Sequence, residues 1–424
     1  MRRNTLLLIL LITLLPFFFS CKTNTDSSSQ IGNNIDDQLS LASIERISSK
    51  ILGEEREVWV HVPSEFYGMD TTDVKFPVIY IVDADGHFLP LVGIMDQLSS
   101  RFSANDQCPP HIVVGIRNPN RNYDLTPPQA DLTQDSINGT GGANLFAKFI
   151  KDELMPYINI KYPVAPYTTL AGHSYGGLFT MNTLIEHQDL FDNYIAIDPS
   201  MWYDSPHFLD KASEAIRNQN FEGKQLYIVG AGPGFKDVTI DEVRSDTSEL
   251  VMQTGSLLKF YDLLDKVTPS GLDVKHDLEW KENHFTVPLI GFPNGLKHIY
   301  EGYHFEKMVA YYDEDSPQRK EDIIVAVDSH YKRISDKLGY QVKPLESYIN
   351  AWAMGFGYNG EPEYGAKLYR YNINNYPASP FVHMANGHFK LSQRDTMAAI
   401  KSFENSITIT ANDELSELVA ELKK

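Results

Sequence analysis

The chain has 424 residues, 42% of them hydrophobic and 22% charged, an ordinary globular composition with room for a sizeable core and more than one domain. Lys and Arg number 37 against 56 Asp and Glu, a formal net charge of −19, which argues against nucleic acid or anionic membrane surfaces as partners because phosphate binding needs clustered cations. Only Cys21 and Cys108 occur, so there is no thiolate zinc cluster and no CxxC redox pair, and at most one disulfide.

Arg2 and Arg3 precede the apolar run Leu6 to Phe19, which meets Ser20-Cys21 and then a polar stretch. A basic start, a short hydrophobic region and a small residue before the cut are the marks of an export signal, and the run is short for a bilayer span of about 20 residues. Because it ends at a cysteine rather than at Ala-x-Ala, it resembles a bacterial lipoprotein signal with Cys21 as the lipidated residue, although Phe18 stands where a small aliphatic residue is usual. The expectation is a signal peptide over 1–20 and a flexible Ser/Asn/Asp-rich tether over 21–40. The chain would then be an exported lipoprotein of the bacterial cell envelope, facing the periplasm or the cell surface and touching the membrane through lipid alone. Cys108 would have no disulfide partner.

From 41 to 305 short β-rich runs alternate with helical patterns, which predicts an α/β domain with crossover helices. The predicted strands are Glu57–Val62, Val78–Val82, His111–Ile116, Thr168–Ala171, Tyr194–Ile197, Gln225–Val229 and Leu278–Lys281. Several are near-continuous apolar runs, as expected for strands covered on both faces. From 306 to 424 the pattern changes to amphipathic helices. Two helix-pair patterns, one around Ala366 and one around Ala399, place these alanines 33 residues apart, close to the tetratricopeptide period of about 34. Two such repeats cannot stand alone, so an appendage packed on the main domain is expected ahead of a dedicated surface for a protein partner.

Gly172-His173-Ser174-Tyr175-Gly176-Gly177 follows the Thr168–Ala171 strand and opens a helical pattern. This is Gly-x-Ser-x-Gly in the strand, sharp turn and helix context that the chemistry requires. The turn exposes the Ser174 hydroxyl and sets the Tyr175 N–H at a helix start, where it can stabilise an oxyanion. Serine needs a base to take its proton, and the chain order Ser, Asp/Glu, His directs attention downstream. His284 is the expected base, on a loop after the last strand. His276 should lie at the wrong end of that strand, and His298 and His304 fit surface or packing roles. The acid stays open: Asp246, at an expected helix N-cap in the region after Gly230-Ala231-Gly232-Pro233-Gly234, is the first choice, with Asp237, Asp241, Glu242 and Asp198 as alternatives. The glycines do not have GxGxxG spacing, which argues against a nucleotide site, and His383 and His388 lack HExxH spacing, which argues against zinc.

These residues are similar to the putative-esterase family of α/β-hydrolases, which includes enterobactin-type siderophore esterases, feruloyl and acetylxylan esterases and S-formylglutathione hydrolase. The likeness covers about Ser49 to Tyr300. It includes Ile51-Leu52-Gly53-Glu54-Glu55-Arg56 leading into Val60-His61-Val62-Pro63, Pro77 to Asp85, Arg121 to Pro127, Gly141-Gly142-Ala143 with Phe149 to Pro156, and Asn283-His284-Phe285. The resemblance implies a doubly wound, mostly parallel sheet and a serine esterase acting through an acyl-enzyme on a small-molecule ester, with neither metal nor organic cofactor. It also implies an oxyanion hole of the Tyr175 N–H and a backbone N–H from the Asp83–Gly86 turn, that of Asp85. Trp202 and Tyr203 are candidates for lining the pocket. The implied substrates are siderophore or cell-envelope and polysaccharide esters. A serine acyltransferase, or a non-catalytic binding protein working through its helical repeats, are the rival expectations.

Overall fold

The computed structural model describes residues 40–424 except 64–74, 100–104, 131–138 and 235–237. Cys21, the expected signal and tether, and Asp237 lie outside the described residues. Leu41–Lys424 forms one compact unit. In chain order the elements are β1 (Ser43–Ser49), β2 (Glu54–His61), β3 (Phe76–Val82), α1 (Ala84–Ser99), β4 (Ile112–Ile116), α2 (Arg121–Leu125), α3 (Ala143–Phe149) and α4 (Met155–Lys161). Then come β5 (Val164–His173), α5 (Tyr175–Glu186), β6 (Asn193–Ile197), α6 (His207–Asn218), β7 (Asn220–Ala231), α7 (Ile240–Ser245), α8 (Met252–Leu264), β8 (Ser270–Glu279) and α9 (Pro288–Ile299). The C-terminal helices are α10 (Ile323–Leu338), α11 (Glu346–Tyr358), α12 (Pro362–Asn375), α13 (Pro380–Ser392), α14 (Thr396–Ile409) and α15 (Asp413–Leu422).

The strands form one eight-stranded sheet in the order β1-β2-β4-β3-β5-β6-β7-β8. β1 and β2 are antiparallel to their neighbours and the rest run parallel. The chain leaves β3 for β4 on one side and later places β5 on the other, so the crevice beyond the carboxyl ends of β3 and β5 is the switch point where open α/β sheets hold ligands. Alternation along each strand builds two cores. Val78, Tyr80 and Val82 point into one with α3, α5, α6 and α8, while Ile79 and Ile81 point into the other with α1 and α9.

Two strands depart from expectation. β1 was not anticipated, and the last strand covers Ser270–Glu279 rather than Leu278–Lys281. It alternates buried Leu272 and half-buried Val274, His276 and Leu278 with polar neighbours, the pattern of an edge strand rather than of a buried apolar run. His276 therefore lies within the strand, stacked on Tyr261 and 3.0 Å from Asp265.

The helical region continues the second core. Ile299, Tyr300, Tyr303, Phe305 and Met308 lead from α9 into α10, α11 and α12 without a break in apolar packing. The pairs α11/α12 and α13/α14 begin at Glu346 and Pro362, then at Pro380 and Thr396, an offset of 34 residues for each helix. No helix among the described residues is long and apolar enough to cross a membrane.

Asp106 marks the seam between sheet and helical region. It is fully buried and accepts a hydrogen bond from the Tyr331 hydroxyl of α10. Burial pushes its carboxyl up to about 7, against the opposing hydrogen bonds from Tyr331 and the Leu345 backbone. An acid raised in the folded state keeps its proton while the unfolded chain loses one, so stability falls as pH rises from about 4 to about 7 and then levels. Asp106→Asn should therefore match the parent near pH 4 and be the more stable protein at pH 8 in urea melts; equal stability at pH 8 would contradict this. Removal of 306–424 strips cover from Tyr300, Tyr303 and Phe305, and is expected to lower Tm sharply or to yield aggregate. An unchanged Tm would show that the helices contribute nothing to the core.

Candidate active site

The nucleophile turn is made by close backbone packing. Ser174 adopts φ 60°, ψ −118° between β5 and α5, a conformation that side-chain-bearing residues rarely take and that costs on the order of 1–3 kcal/mol. The glycines around it permit the turn: a Cβ on Gly172 would lie 2.2 Å from the Gly176 carbonyl oxygen, and one on Gly177 would lie 2.9 Å from the Pro199 Cα. The Ser174 N–H donates to the Ile197 carbonyl at 3.0 Å and its carbonyl accepts from the Ser200 N–H at 3.2 Å, so the ends of β5 and β6 are tied together.

That tie fixes the residue that follows β6. Asp198 directly follows β6 with φ 39° and is 1% exposed. Its Oδ2 lies 2.5 Å from His284 Nδ1, and its Oδ1 accepts the Ala231 N–H at 3.0 Å. Its backbone carbonyl accepts from Gln253 Nε2 at 2.7 Å, and the same glutamine takes the Trp202 indole N–H at 2.6 Å, so the start of α8 staples the loop after β6. The structure thus sets Asp198, and not Asp246, against His284. Asp246 caps the end of α7, is exposed, and spends its Oδ1 on the Ser248 N–H at 2.7 Å. Asp241 and Glu242 sit in the exposed first turn of α7, where Glu242 closes a capping box with Thr239. The Gly230–Gly234 segment, where the acid was expected, instead donates the Ala231 N–H to Asp198. Gly232 passes so close to β8 that a Cβ there would meet the Trp280 carbonyl oxygen at 2.3 Å.

Two helix starts face the serine. Tyr175 is the first residue of α5, and the first N–H groups of a helix have no intrahelical acceptor. Across from it, Asp83 has φ 54° and its carbonyl accepts the Gly86 and His87 N–H groups, which places Ala84 and Asp85 at the first two positions of α1. A Cβ on Gly176 would come 2.8 Å from Val82 Cγ2 and 3.6 Å from Asp83 Oδ2, so the two helix starts adjoin. The Asp85 side chain is exposed and pairs with Arg117 Nε at 2.9 Å. Of the five described non-glycine residues with positive φ, three are Asp83, Ser174 and Asp198.

A buried polar chain fixes the Asp83 turn. Arg56 on β2 pairs with Asp124 on α2 at 2.6 Å, Asp124 accepts from Asn118 Nδ2 at 3.0 Å, and Asn118 Oδ1 accepts the Asp83 N–H at 3.0 Å. Arg121, half-exposed, donates to Asp83 Oδ2 at 2.8 Å and lies over the Tyr175 ring. Burial raises the Asp83 carboxyl, with Arg121 pulling the other way.

Of the pocket candidates, Trp202 is partly exposed beside Tyr175. Tyr203 is fully buried, its hydroxyl donated to the Pro127 carbonyl, so it packs the wall and presents no surface to a ligand. Phe285, next to His284, is 84% exposed. His298 is buried on α9 and His304 reaches the Asp106 carbonyl, away from the serine turn. Among the described residues no group of three His, Cys, Asp or Glu could hold a metal ion, and Cys108 is free and buried. Arg121, Gln253 and the paired histidines His87 and His173 were not anticipated; Arg121 and His173 lie within or beside recognised motifs, but one sequence does not show what they face.

Residues 49–231 match the family described as Putative esterase. That stretch, with Ser174 and Asp198 in it, is similar to the esterases of that family. It is 27% identical over 276 residues, 60% of this chain and 92% of the relative, to the siderophore triacetylfusarinine C esterase of Aspergillus fumigatus. It is 31% identical to the siderophore enterobactin esterase of Emericella nidulans over 35% of this chain, spanning 54% of that relative. Among solved structures, an IroE-like serine hydrolase from Shewanella oneidensis superposes with a TM-score of 0.63 at 27% identity, covering 78% of this chain and 99% of that one. The protein is a carboxylic ester hydrolase of the α/β-hydrolase fold, as the resemblance implied. The family match stops at Ala231, so the assignment of His284 to the site rests on its contact with Asp198.

Gly172→Ala forces a methyl into the Gly176 carbonyl and should cost roughly 1–3 kcal/mol or more in urea unfolding. The same variant should lose most esterase turnover; a fully active, equally stable variant would contradict the packing described.

Proposed function

We propose that this esterase hydrolyses siderophore-type esters through a Ser174–His284–Asp198 triad, in the bacterial cell envelope. The observation that carries the triad is the 2.5 Å contact between His284 Nδ1 and the buried Asp198 carboxylate, at the strand end tied to Ser174. With Nδ1–H held by Asp198, His284 Nε2 is the basic nitrogen available to the serine. Ser174 Oγ attacks the acyl carbonyl as its proton passes to Nε2, and the oxyanion forms against the Tyr175 N–H and an N–H from the start of α1, Asp85 being the proposed donor. The tetrahedral adduct collapses, the alkoxide leaves with the proton from His284, and an acyl-serine remains. Water then attacks with its proton taken by His284, the acid is released, and Ser174 is regenerated.

The siderophore reading is supported by the named activities of the relatives and by the mouth of the site. A half-exposed guanidinium stacked on Tyr175, with Trp202 beside it and exposed Phe285 next to His284, suits a substrate that is aromatic or anionic around its ester. The envelope location rests on the Arg2–Cys21 segment, with Cys21 as the lipid attachment point.

The triad is tested by kinetics on a p-nitrophenyl ester. Ser174→Ala and His284→Ala should abolish turnover, Asp198→Asn should lower kcat by on the order of 10⁴-fold through the wrong tautomer, and Asp246→Asn should match the parent. Loss in Asp246→Asn with Asp198→Asn unimpaired would overturn the assignment. For the substrate, products from a catecholate trilactone and from an acetylated xylan are resolved by mass; cleavage of the polysaccharide alone would overturn the siderophore reading.

A further inference from the structure

His173, the residue just before the nucleophile, is 7% exposed and its ring lies 4.4 Å from that of His284, tilted by 42°. Its other side meets His87 of α1 edge-on at 5.2 Å, and His87 in turn meets Phe292 of α9 at 5.7 Å. Four rings from α1, β5, the loop after β8 and α9 thus form one column ending at His284. The buried His173 Nε2 has no hydrogen-bond partner among the described residues, so the ring is not there for a polar contact at that atom.

We infer that His173 is a positioning residue: its ring braces the His284 imidazole while Asp198 holds Nδ1, keeping Nε2 on the side of Ser174. A single hydrogen bond at Nδ1 leaves the ring free to rock about that bond, and a rigid neighbour in contact with it removes this freedom. The brace stays neutral throughout. Burial, with the adjoining His284 and His87, pushes His173 down to about 3 against the pull of the His284 backbone, and burial with Arg121 pushes His87 down to about 4. The groups around the column are Asp198 from the loop after β6, Arg121 from α2 and two uncharged imidazoles. This inference rests on the esterase reading above.

The test compares His173→Ala, His173→Gln and His173→Phe with the parent on p-nitrophenyl acetate, counting active sites by the acylation burst. Loss of the planar ring in the Ala and Gln variants should lower kcat per active site on the order of 10- to 100-fold with KM within about twofold. His173→Phe, which keeps a ring and removes both ring nitrogens, including the one drawn to the His284 backbone, should retain kcat within about threefold, and Gln carries the comparison if Ala does not fold. An unchanged kcat per site in Ala and Gln would overturn the inference, as would a Phe variant as impaired as Ala. Absence of both burst and turnover in the parent would instead bring down the esterase reading, and this inference with it.

Discussion

Everything at this site depends on the backbone reversal at Ser174. The turn is possible only because Gly172, Gly176 and Gly177 let β5, the start of α5 and the loop after β6 pass at distances that a methyl group would forbid. The same closeness couples nucleophile and acid. Ser174 bonds to Ile197, the next residue is Asp198, and its carboxylate is thereby fixed one strand away from the serine. A strained serine, a strained aspartate and a strained Asp83 at the facing turn are held by hydrogen bonds from three strand ends, so the strain is concentrated where the chemistry needs fixed geometry.

The electrostatics are layered in the same way. Asp198 is buried and spends both oxygens, one on the Ala231 N–H and one on His284, so neither is left without a partner. The oxyanion side has its own support, running from Arg56 through Asp124 and Asn118 to the Asp83 backbone. Each chain fixes a backbone segment at the serine turn.

Much of this was legible in the sequence because it is local. Ser174 announces itself through glycine spacing between an apolar strand and a helical pattern, and His284 follows from chain order and its place after the last strand. Asp246 ranked ahead of Asp198 because the glycine-rich segment after β7 looks like a flexible loop able to present a carboxylate, whereas Ile197-Asp198-Pro199 looks like a plain strand end; the structure sets Asp198 against His284. What selects Asp198 is the tertiary tie between β5 and β6 and the Ala231 N–H, neither of which has a sequence signature. Tyr203 was misjudged for a related reason: both rings lie against Tyr175, and only packing leaves Trp202 partly exposed while Tyr203 is buried with its hydroxyl on Pro127. The helical region was legible as paired helices, but its merger with the second core through Tyr300, Tyr303 and Tyr331 depends on contacts across the chain.

The central claim is that Ser174 is activated within an assembled site. It is tested most directly by intact mass after exposure to a fluorophosphonate. The account requires a single adduct, mapped to Ser174, that forms in the parent and is absent in Ser174→Ala and His284→Ala. A folded parent that takes up no label, or one labelled equally well without His284, would contradict it.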